Sequence, residues 1–437
     1  RHGHKIGIDK VFFYRLAPVL ALEMKDVYPE LKKALANVEK VLKREEQRFA
    51  QTLDQGMGIL EEAIANLKGS QIDGETVFKL YDTFGFPVDL TADVARERDL
   101  TIDMPGFEAE MTKQRDRARS AGDFKTTQKG VDISDATEFL GYEQLENSSS
   151  VQALIKDGEL VDSIDAGDNA IIVLAQSSFY GESGGQVGDS GLLSNVDVKF
   201  DVNNTQKQKS GAFEHHGVLN SGILKVSDVV SASVDKNRRK RIARNHSATH
   251  LLHAALRTVL GETVTQKGSL VDGDKLRFDF SHDEVISKAD IDKIEGMVNR
   301  KILGNTIVHT DVTDIKTAKK NGAMALFGEK YGNTVRVLTM GKDDFSVELC
   351  GGTHVNQLGD IGLFRITSEG GIAAGVRRIE AMSGYDAYQF DKQTEDSLSE
   401  IAQMTKSNNA QAVEKVAQLI KQQKELEKQI ATFQKQL

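Results

Sequence analysis

The sequence lacks several features that would identify common classes of protein. Its 437 residues include one cysteine, so no internal disulfide framework can form. It has no long apolar run of the kind found in a signal peptide or a membrane span, and no repeat of about 20 to 50 residues is evident. The formal net charge of −9 argues against indiscriminate nucleic-acid binding, which needs a wide basic footprint. We therefore expect a cytosolic protein with ordinary packed cores and no membrane attachment.

Two catalytic motifs are also missing. No helix carries HExxH, in which a zinc protease holds its glutamate base between two histidines, and there is no P-loop for a nucleotide phosphate. Zinc-dependent peptide hydrolysis by the HExxH route is therefore disfavoured.

What is present is a candidate zinc centre. His246 and His250 lie four residues apart in a helical segment, so both point to the same side of the helix. Cys350 and His354 repeat that spacing much later in the chain, and one thiolate with three imidazoles suits tetrahedral Zn²⁺. His253 shares the helix face and leaves open a second ligand set in which it replaces His354. We favour His354 because the glycines of CGGTH allow a compact turn, and we assign His253 to packing or to supporting a ligand.

The first part of the chain predicts helices. Apolar residues recur at three- and four-residue steps from 29 to 69, which indicates one long amphipathic helix. Asp73 is a candidate cap for the next helix, and Thr91 for the one after it.

From about residue 131 the pattern changes to short strands. VQALIKDGELVDSI carries an Asp-Gly turn between two apolar runs, the strongest short-range signal for a hairpin. Further strands up to about residue 235 predict a small antiparallel barrel. Within it, the glycines of ESGGQVGDSG, 182–191, would let backbone amides approach a ligand. The basic run NRRKRIAR, 237–244, then leads into the first histidine pair and is a candidate phosphate contact.

The last part alternates helix and strand signals and then becomes helical. Residues 246–384 predict an α+β layer with helices on a mostly antiparallel sheet. From 412 to 437 the apolar residues fall at heptad spacing, which is typical of a coiled coil.

Several motifs together resemble the bacterial alanyl-tRNA synthetases. HSATHLLHAALR, TQKGSL, ALFGEKYG, ELCGGTH and GVRRIEA resemble the editing domain of that family. LYDTFGFPVDLTADV resembles its tRNA-recognition domain and ESGGQVGD its β-barrel. The resemblance implies four regions, which are a helical tRNA-recognition domain (1–130), a β-barrel (131–240), an α+β editing domain (241–384) and a coiled-coil helix (385–437).

The resemblance also implies an activity and roles for particular residues. Editing by this family removes serine, and also glycine, from mischarged tRNA(Ala). Gln266 and Thr249 match positions that shape editing, Asp82 matches an acidic residue that reads the acceptor stem, and Arg377 and Arg378 are candidate phosphate contacts. The implied metal ligands are His246, His250, Cys350 and His354. Zinc is the expected cofactor, whereas ATP and Mg²⁺ would belong to an aminoacylation domain.

We find no class II aminoacylation domain and expect a fragment of a longer protein that does not aminoacylate. Self-association through the C-terminal helix and a missing domain is a further expectation. Two other interpretations remain open: a tRNA-binding module with a structural zinc that cuts no ester, and a general metallohydrolase for small esters, which gives no reason for the helical front.

Overall fold

A computed structural model describes residues 10–67, 69–121, 131–320, 322–324 and 332–436. The chain divides into two compact units, Arg1–Thr127 and Gln128–Leu437. The motif ALFGEKYG lies outside the described residues except for its final glycine. Residues 122–130 also lie outside the described residues.

The first unit is helical. Its described elements are a 3₁₀ turn (Phe13–Leu16), α1 (Ala17–Glu23), α2 (Glu30–Ala65), β1 (Gln71–Ile72), α3 (Gly74–Asp82), α4 (Val88–Arg96), β2 (Thr101–Ile102) and α5 (Met104–Ala121). Leu53 and Leu60 of α2 are buried in one core with Leu80 and Phe86. The predicted long amphipathic helix is thus present, and its apolar stripe forms this core.

One of the two predicted helix caps is correct. The Asp73 carboxylate accepts a hydrogen bond of 2.8 Å from the Thr76 amide, which satisfies a free N–H of the first turn of α3. The prediction for Thr91 is wrong, because this residue lies buried inside α4 and its hydroxyl donates to the Pro87 carbonyl. Pro87 occupies the cap position instead.

The second unit begins with a closed antiparallel barrel of six strands. The strands from this part of the chain are β3 (Glu138–Phe139), β4 (Glu146–Lys156), β5 (Glu159–Val161), β6 (Ser163–Asp165), β7 (Asn169–Leu174), β8 (Gln176–Ser177), β9 (Gly191–Ser194), β10 (Lys199–Lys207), β11 (Phe213–Ser221), β12 (Ile223–Lys225) and β13 (Val229–Val234). In order around the barrel the six strands are β13, β9, β10, β11, β7 and β4, and β4 pairs with β13 to close it. The predicted hairpin joins β4 to β5, and Asp157 and Gly158 both take positive φ (53° and 84°), as its tight turn requires.

The rest of the second unit has helices and two antiparallel sheets, where the sequence predicted one layer. The elements are α6 (Lys236–Leu260), β14 (Gln266–Val271), β15 (Leu276–Ser281), α7 (Lys288–Leu303), β16 (His309–Asp314), α8 (Ile315–Lys320), β17 (Thr334–Met340), β18 (Ser346–Leu349), a 3₁₀ turn (Leu358–Ile361), β19 (Phe364–Ala373), β20 (Val376–Ser383), α9 (Gly384–Met404) and α10 (Ala412–Gln436). One sheet has the order β14-β15-β20-β19 and the other β16-β17-β18.

Helix α6 is the centre of this region because it is buried over most of its length. Its apolar residues, such as Leu252 and Leu256, share a core with Phe278 and Phe280 of β15. Its histidines and Asn245 are buried as well, so their polar atoms need partners inside the protein. The partners of the histidines come from the barrel, from β18 and from the segment after β18, and they define the site described next.

Candidate metal centre

The structure brings together the four side chains that the sequence singled out. His246 and His250 are 3% and 2% exposed on α6, and Cys350 and His354 follow β18. The Cys350 Sγ lies 3.5 Å from the His246 Nε2 and 3.2 Å from the His354 Nε2. One donor atom from each of the four residues lies within 4.8 Å of the other three.

This geometry fits a tetrahedral metal ion. Zinc bonds of about 2.0–2.3 Å place neighbouring ligand atoms roughly 3.3–3.8 Å apart, close to the two distances from sulfur. The His250 Nε2 is buried and makes no hydrogen bond to any described residue. Since a buried polar atom without a partner is costly, a cation at the shared point would satisfy it.

A glycine allows the second ligand segment to approach the helix. A Cβ added to Gly352 would lie 2.1 Å from the His246 Cε1, so any larger residue would push the segment away from α6. The Gly352 amide also donates to the Cys350 Sγ at 3.4 Å. Gly352 therefore permits this close approach to α6. The sequence had predicted a compact turn at CGGTH.

Each ligand imidazole is oriented through its other nitrogen. The His246 Nδ1 lies 2.7 Å from the Gln186 Oε1, and the His354 Nδ1 lies 3.2 Å from the Ser247 Oγ. The His250 Nδ1 contacts a carboxylate oxygen of Glu348. When Nδ1–H donates to these oxygens, the Nε2 lone pair of each ring is left for the shared point.

The charge state of the centre favours a cation. Burial opposes ionisation of the Cys350 thiol, but the neighbouring imidazoles outweigh burial and hold its pKa well below the usual value. Burial lowers the pKa of His354 to about 3, which leaves a neutral imidazole. Burial also opposes a charged His250, yet the carboxylate of Glu348 raises the pKa of His250 to about 10. A metal ion would displace that proton.

Glu348 is a functional candidate that the sequence analysis did not assign. It is 1% exposed, and its second oxygen lies 2.7 Å from the His253 Nδ1. His253 therefore contacts the carboxylate that orients His250, which agrees with a supporting position rather than a ligand position. The signal was available, because Glu348 stands inside the quoted ELCGGTH.

The two residues expected to shape the pocket differ in their hydrogen bonding. Gln266 begins β14, which packs against α6, and its amide oxygen and nitrogen are buried without a partner among the described residues. The buried Thr249 hydroxyl donates to the Asn245 carbonyl at 2.8 Å within α6, so only its lone pairs remain available. Gln266 thus has the larger unused hydrogen-bonding capacity.

The two arginines of GVRRIEA both have carboxylate partners. Arg377 is paired with Glu369 through two nitrogens, and Arg378 donates to the two oxygens of Asp279 at 2.7 and 2.8 Å. Arg378 is a third exposed and Arg377 largely buried. A phosphate would have to share or replace these carboxylates, which is easier at Arg378.

The basic run before the histidines is partly internal. Arg239 is 5% exposed, forms an ion pair with Asp189 of the barrel and donates to the carbonyls of Gly141 and Ser178. It therefore joins α6 to the barrel and is not free to meet a phosphate. Arg238 and Arg241 have carboxylate partners as well.

A cleft of about 600 Å³ opens beside the metal centre, with His354 on its wall. Lys240, Arg244 and Arg336 line it, and the Arg336 guanidinium lies 3.5 Å from the centre of the Tyr142 ring. Positive groups and an exposed aromatic ring next to the candidate ligands are features that suit a nucleotide chain.

Asp82 lies in the first unit, at the end of α3. It is exposed and accepts a hydrogen bond from the Gln114 side chain of α5.

Comparisons with known proteins identify the family. The family model described as tRNA synthetases class II (A) matches residues 1–238, and the model described as threonyl and alanyl tRNA synthetase second additional domain matches residues 335–380. The chain is 77% identical to the alanine–tRNA ligase of Ruthia magnifica over 437 residues, which are all of this chain and 50% of that protein. It is 52% identical over 435 residues to the alanine–tRNA ligase of Pseudomonas entomophila, covering 99% of this chain and again 50% of that protein.

The chain belongs to the alanyl-tRNA synthetase family. It spans about half the length of the curated relatives it matches.

Membership of the alanyl-tRNA synthetase family corrects one expectation. We expected a fragment without a class II portion, but the match over residues 1–238 carries the class II description, so the chain includes sequence of that class. In the structure the described residues of this stretch form the helical first unit, the barrel and the start of α6. Cys350 and His354 fall within the match at 335–380, while His246 and His250 lie between the two matches.

Among the described residues, no helix combines the length and the apolar character needed to cross a bilayer.

Proposed function

We propose that this chain hydrolyses tRNA(Ala) that has been mischarged with serine or glycine, at a zinc centre formed by His246, His250, Cys350 and His354. The observation that carries the proposal is the convergence of these four donor atoms within 4.8 Å, two of them inside the part matched to a threonyl and alanyl tRNA synthetase domain. We further propose that the full-length protein attaches alanine to tRNA(Ala) with ATP, as the names of its relatives indicate.

Zinc bound to these four residues would supply a positive centre that orients the amino-acid end of the substrate or polarises the reacting carbonyl. The protein's contribution is the donor set. One sulfur and three Nε2 atoms face one point, and Gln186, Glu348 and Ser247 fix the rings. The site is enclosed on the α6 side and borders the cleft at His354.

The reaction is the hydrolysis of an ester. Water adds to the carbonyl carbon, the bond to the 3′-terminal adenosine breaks, and the products are the free amino acid and tRNA with a free hydroxyl. An aminoacyl ester is intrinsically labile, so holding it in one orientation beside water provides much of the acceleration.

Serine differs from alanine by one hydroxyl, so a site that selects serine needs a hydrogen-bond partner for that hydroxyl. We propose that Gln266 supplies it, because its amide atoms are buried without partners and a serine hydroxyl would satisfy one of them. Alanine would leave that group unpaired, at a cost of about 1–3 kcal/mol. Thr249 accepts from the same hydroxyl or closes the pocket beside it. The hydroxyl argument does not apply to glycine, which we include because the family resemblance implies it.

The remaining candidates would hold the tRNA. We propose that Arg378 and the basic residues of the cleft contact phosphates near the 3′ end, with Arg377 in a supporting position. Asp82 in the helical unit would contact the acceptor stem.

The decisive experiment supplies serine-charged tRNA(Ala) to the purified chain. We expect serine release that a chelator abolishes, that zinc restores and that Cys350→Ala removes. Gln266→Ala should slow serine release, whereas Lys267→Ala, which changes the exposed neighbouring residue on β14, should not.

A second candidate is a tRNA-binding module in which zinc is purely structural. One observation favours it, since four protein ligands close a tetrahedron and a catalytic zinc usually keeps a position open. Binding of tRNA(Ala) without release of serine, by the zinc-loaded chain, would support this module and contradict the hydrolase.

A further inference from the structure

The glycine-rich segment of the barrel places a buried glutamine against the metal centre. Gln186 lies between β8 and β9, belongs to ESGGQVGDSG and is 0% exposed. The sequence suggested that backbone amides of this segment approach a ligand. In the structure it is a side chain of the segment that reaches the site.

The amide of Gln186 joins both halves of the donor set. Its Oε1 lies 2.7 Å from the His246 Nδ1 and accepts from the Thr353 amide at 2.9 Å. Its Nε2 donates to the Thr353 Oγ1 at 2.9 Å. One side chain therefore contacts a ligand on α6 and the turn that carries Cys350 and His354.

The segment that carries Gln186 is itself fixed. The backbones of Gln186 and Ser183 exchange hydrogen bonds of 3.0 and 3.2 Å. The Val187 amide donates to the Val271 carbonyl at 3.1 Å, and the Val271 amide donates to the Gly185 carbonyl at 2.7 Å. Because strand β14 ends at Val271, the glutamine is held between the barrel and the sheet that packs on α6.

We infer that Gln186 is a positioning residue of the metal centre. By accepting the Nδ1–H of His246 it keeps the Nε2 lone pair directed at the point shared by the four donor atoms, and by pairing with Thr353 it holds the segment of Cys350 and His354 at the correct distance. The inference rests on the proposed metal centre, and it gives the barrel a role in ligand geometry.

The chemistry of the amide distinguishes three substitutions. Gln186→Leu removes the acceptor and leaves the Thr353 amide without a partner. Gln186→Asn keeps a polar amide but is one methylene too short to reach His246. Gln186→Glu keeps an oxygen for His246 and another for the Thr353 hydroxyl, which can rotate to donate. Glutamate should therefore rescue the function that leucine and asparagine lose.

The test measures zinc affinity in the full chain by competition with a chromophoric chelator, together with the visible spectrum of the cobalt-substituted protein. We expect Gln186→Leu and Gln186→Asn to bind zinc about 10- to 100-fold more weakly and to change the cobalt spectrum, because supporting partners of metal ligands contribute on that scale. Gln186→Glu should lie within a few-fold of the wild type.

The control is Gln208→Leu. Gln208 is a partly buried barrel glutamine that accepts from the Ile133 amide at 3.1 Å and donates to the Val131 carbonyl at 2.9 Å. Its loss should reduce stability and leave zinc affinity and the cobalt spectrum unchanged.

The outcomes separate this inference from the proposed function. A wild-type chain that takes up no zinc contradicts the metal centre itself. A wild-type chain that binds zinc tightly, with Gln186→Asn equal to it in affinity and spectrum, overturns the role of Gln186 alone. If Gln186→Leu does not fold, the asparagine and glutamate variants decide. Equal weakening by both of these also overturns the inference, because a positioning acceptor would be rescued by glutamate.

Discussion

Two buried histidine sites in the second unit show opposite uses of the same side chain. In the barrel, the His215 Nε2 lies 2.8 Å from the Ser177 Oγ and its Nδ1 lies 2.9 Å from the Ile172 carbonyl, so both ring nitrogens have an oxygen partner. In the metal centre, His250 contacts Glu348 through Nδ1 only, and its Nε2 has no hydrogen-bond partner among the described residues. Burial is common to both, so burial does not distinguish the two histidines. What makes His250 a candidate ligand is a ring nitrogen without a partner that lies in the same cluster as a thiol and two other imidazoles.

The largest expected effect on metal binding tests this difference directly. His250→Ala removes one of the four proposed zinc ligands, and a quarter of the roughly 10–16 kcal/mol typical of such sites is about 2.5–4 kcal/mol, or roughly 70- to 900-fold in affinity. Metal analysis of the purified protein should give one zinc for the wild type and little for the variant. His215→Asn is the matched control and should keep its zinc. Loss of zinc in both, or in neither, would show that the two histidines do not differ as proposed.

The next prediction concerns protein stability and the buried ion pair between Arg239 on α6 and Asp189 of the barrel. Arg239→Met leaves the Asp189 carboxylate buried without its cation, which should lower the free energy of unfolding by about 3–5 kcal/mol. Urea denaturation monitored by circular dichroism measures this loss. Arg238→Met is the control, since its ion pair with Asp272 is partly exposed and should contribute about 0–1 kcal/mol. If both variants lose the same amount, Arg239 does not connect the barrel to α6 in the way described.

A pH series tests His215, the buried barrel histidine whose two ring nitrogens both have a partner. Burial lowers the pKa of His215 to about 4 from 6.5, so the folded state keeps the ring neutral where the unfolded chain would protonate it. Above pH 6.5, His215 therefore does not change the free energy of unfolding. As the pH falls from 6.5 towards 4, His215 lowers that free energy progressively, by about 3 kcal/mol in total. The stability of His215→Asn should accordingly fall less steeply with acid than that of the wild type. Parallel curves for the two proteins would contradict a neutral, buried His215.

Local sequence patterns predicted much of this architecture. The three- and four-residue spacing gave α2, Asp73 gave the start of α3, and the Asp-Gly pair gave the first hairpin. Each of these signals acts within a few residues, so it can be read without knowledge of the fold. The prediction that Thr91 caps a helix was wrong, because Pro87 takes the cap position and the helix starts one turn earlier.

The sequence predicted the four candidate ligands but not the residues that contact them. His246 and His250 lie on one helix turn and Cys350 and His354 in one short segment, so both pairs are local patterns. Gln186 was missed as a positioning residue because its contacts cross 60 and 167 residues of sequence. No periodicity or spacing reports such pairings.

Arg239 shows the reverse case. The basic run made it a candidate phosphate contact, but its partner Asp189 lies 50 residues earlier in the chain and draws it into the interior. A run of charge therefore does not predict which of its members face solvent. The burial of each depends on carboxylates and carbonyls that other segments contribute.

The smallest predicted effect tests how a candidate ligand, His250, is oriented, in contrast to His215, whose two ring nitrogens both have oxygen partners. Glu348 accepts from His250 with one oxygen and faces the His253 Nδ1 at 2.7 Å with the other. Glu348→Gln keeps the shape but offers one oxygen and one NH₂ group, so one of the two rings must move its proton from Nδ1 to Nε2. Where that ring is His250, its lone pair no longer faces the centre.

We therefore expect Glu348→Gln to weaken zinc binding by about 10- to 100-fold, or about 1.4–2.7 kcal/mol, without unfolding the protein. Chelator competition measures the affinity. The matched control is Glu380→Gln, which changes a carboxylate of β20 that is paired with Lys275. Combining Glu348→Gln with His253→Leu should restore part of the affinity, because the amide oxygen is then free to serve His250 alone. Unchanged affinity in Glu348→Gln would mean that the carboxylate packs beside the centre without orienting its ligand.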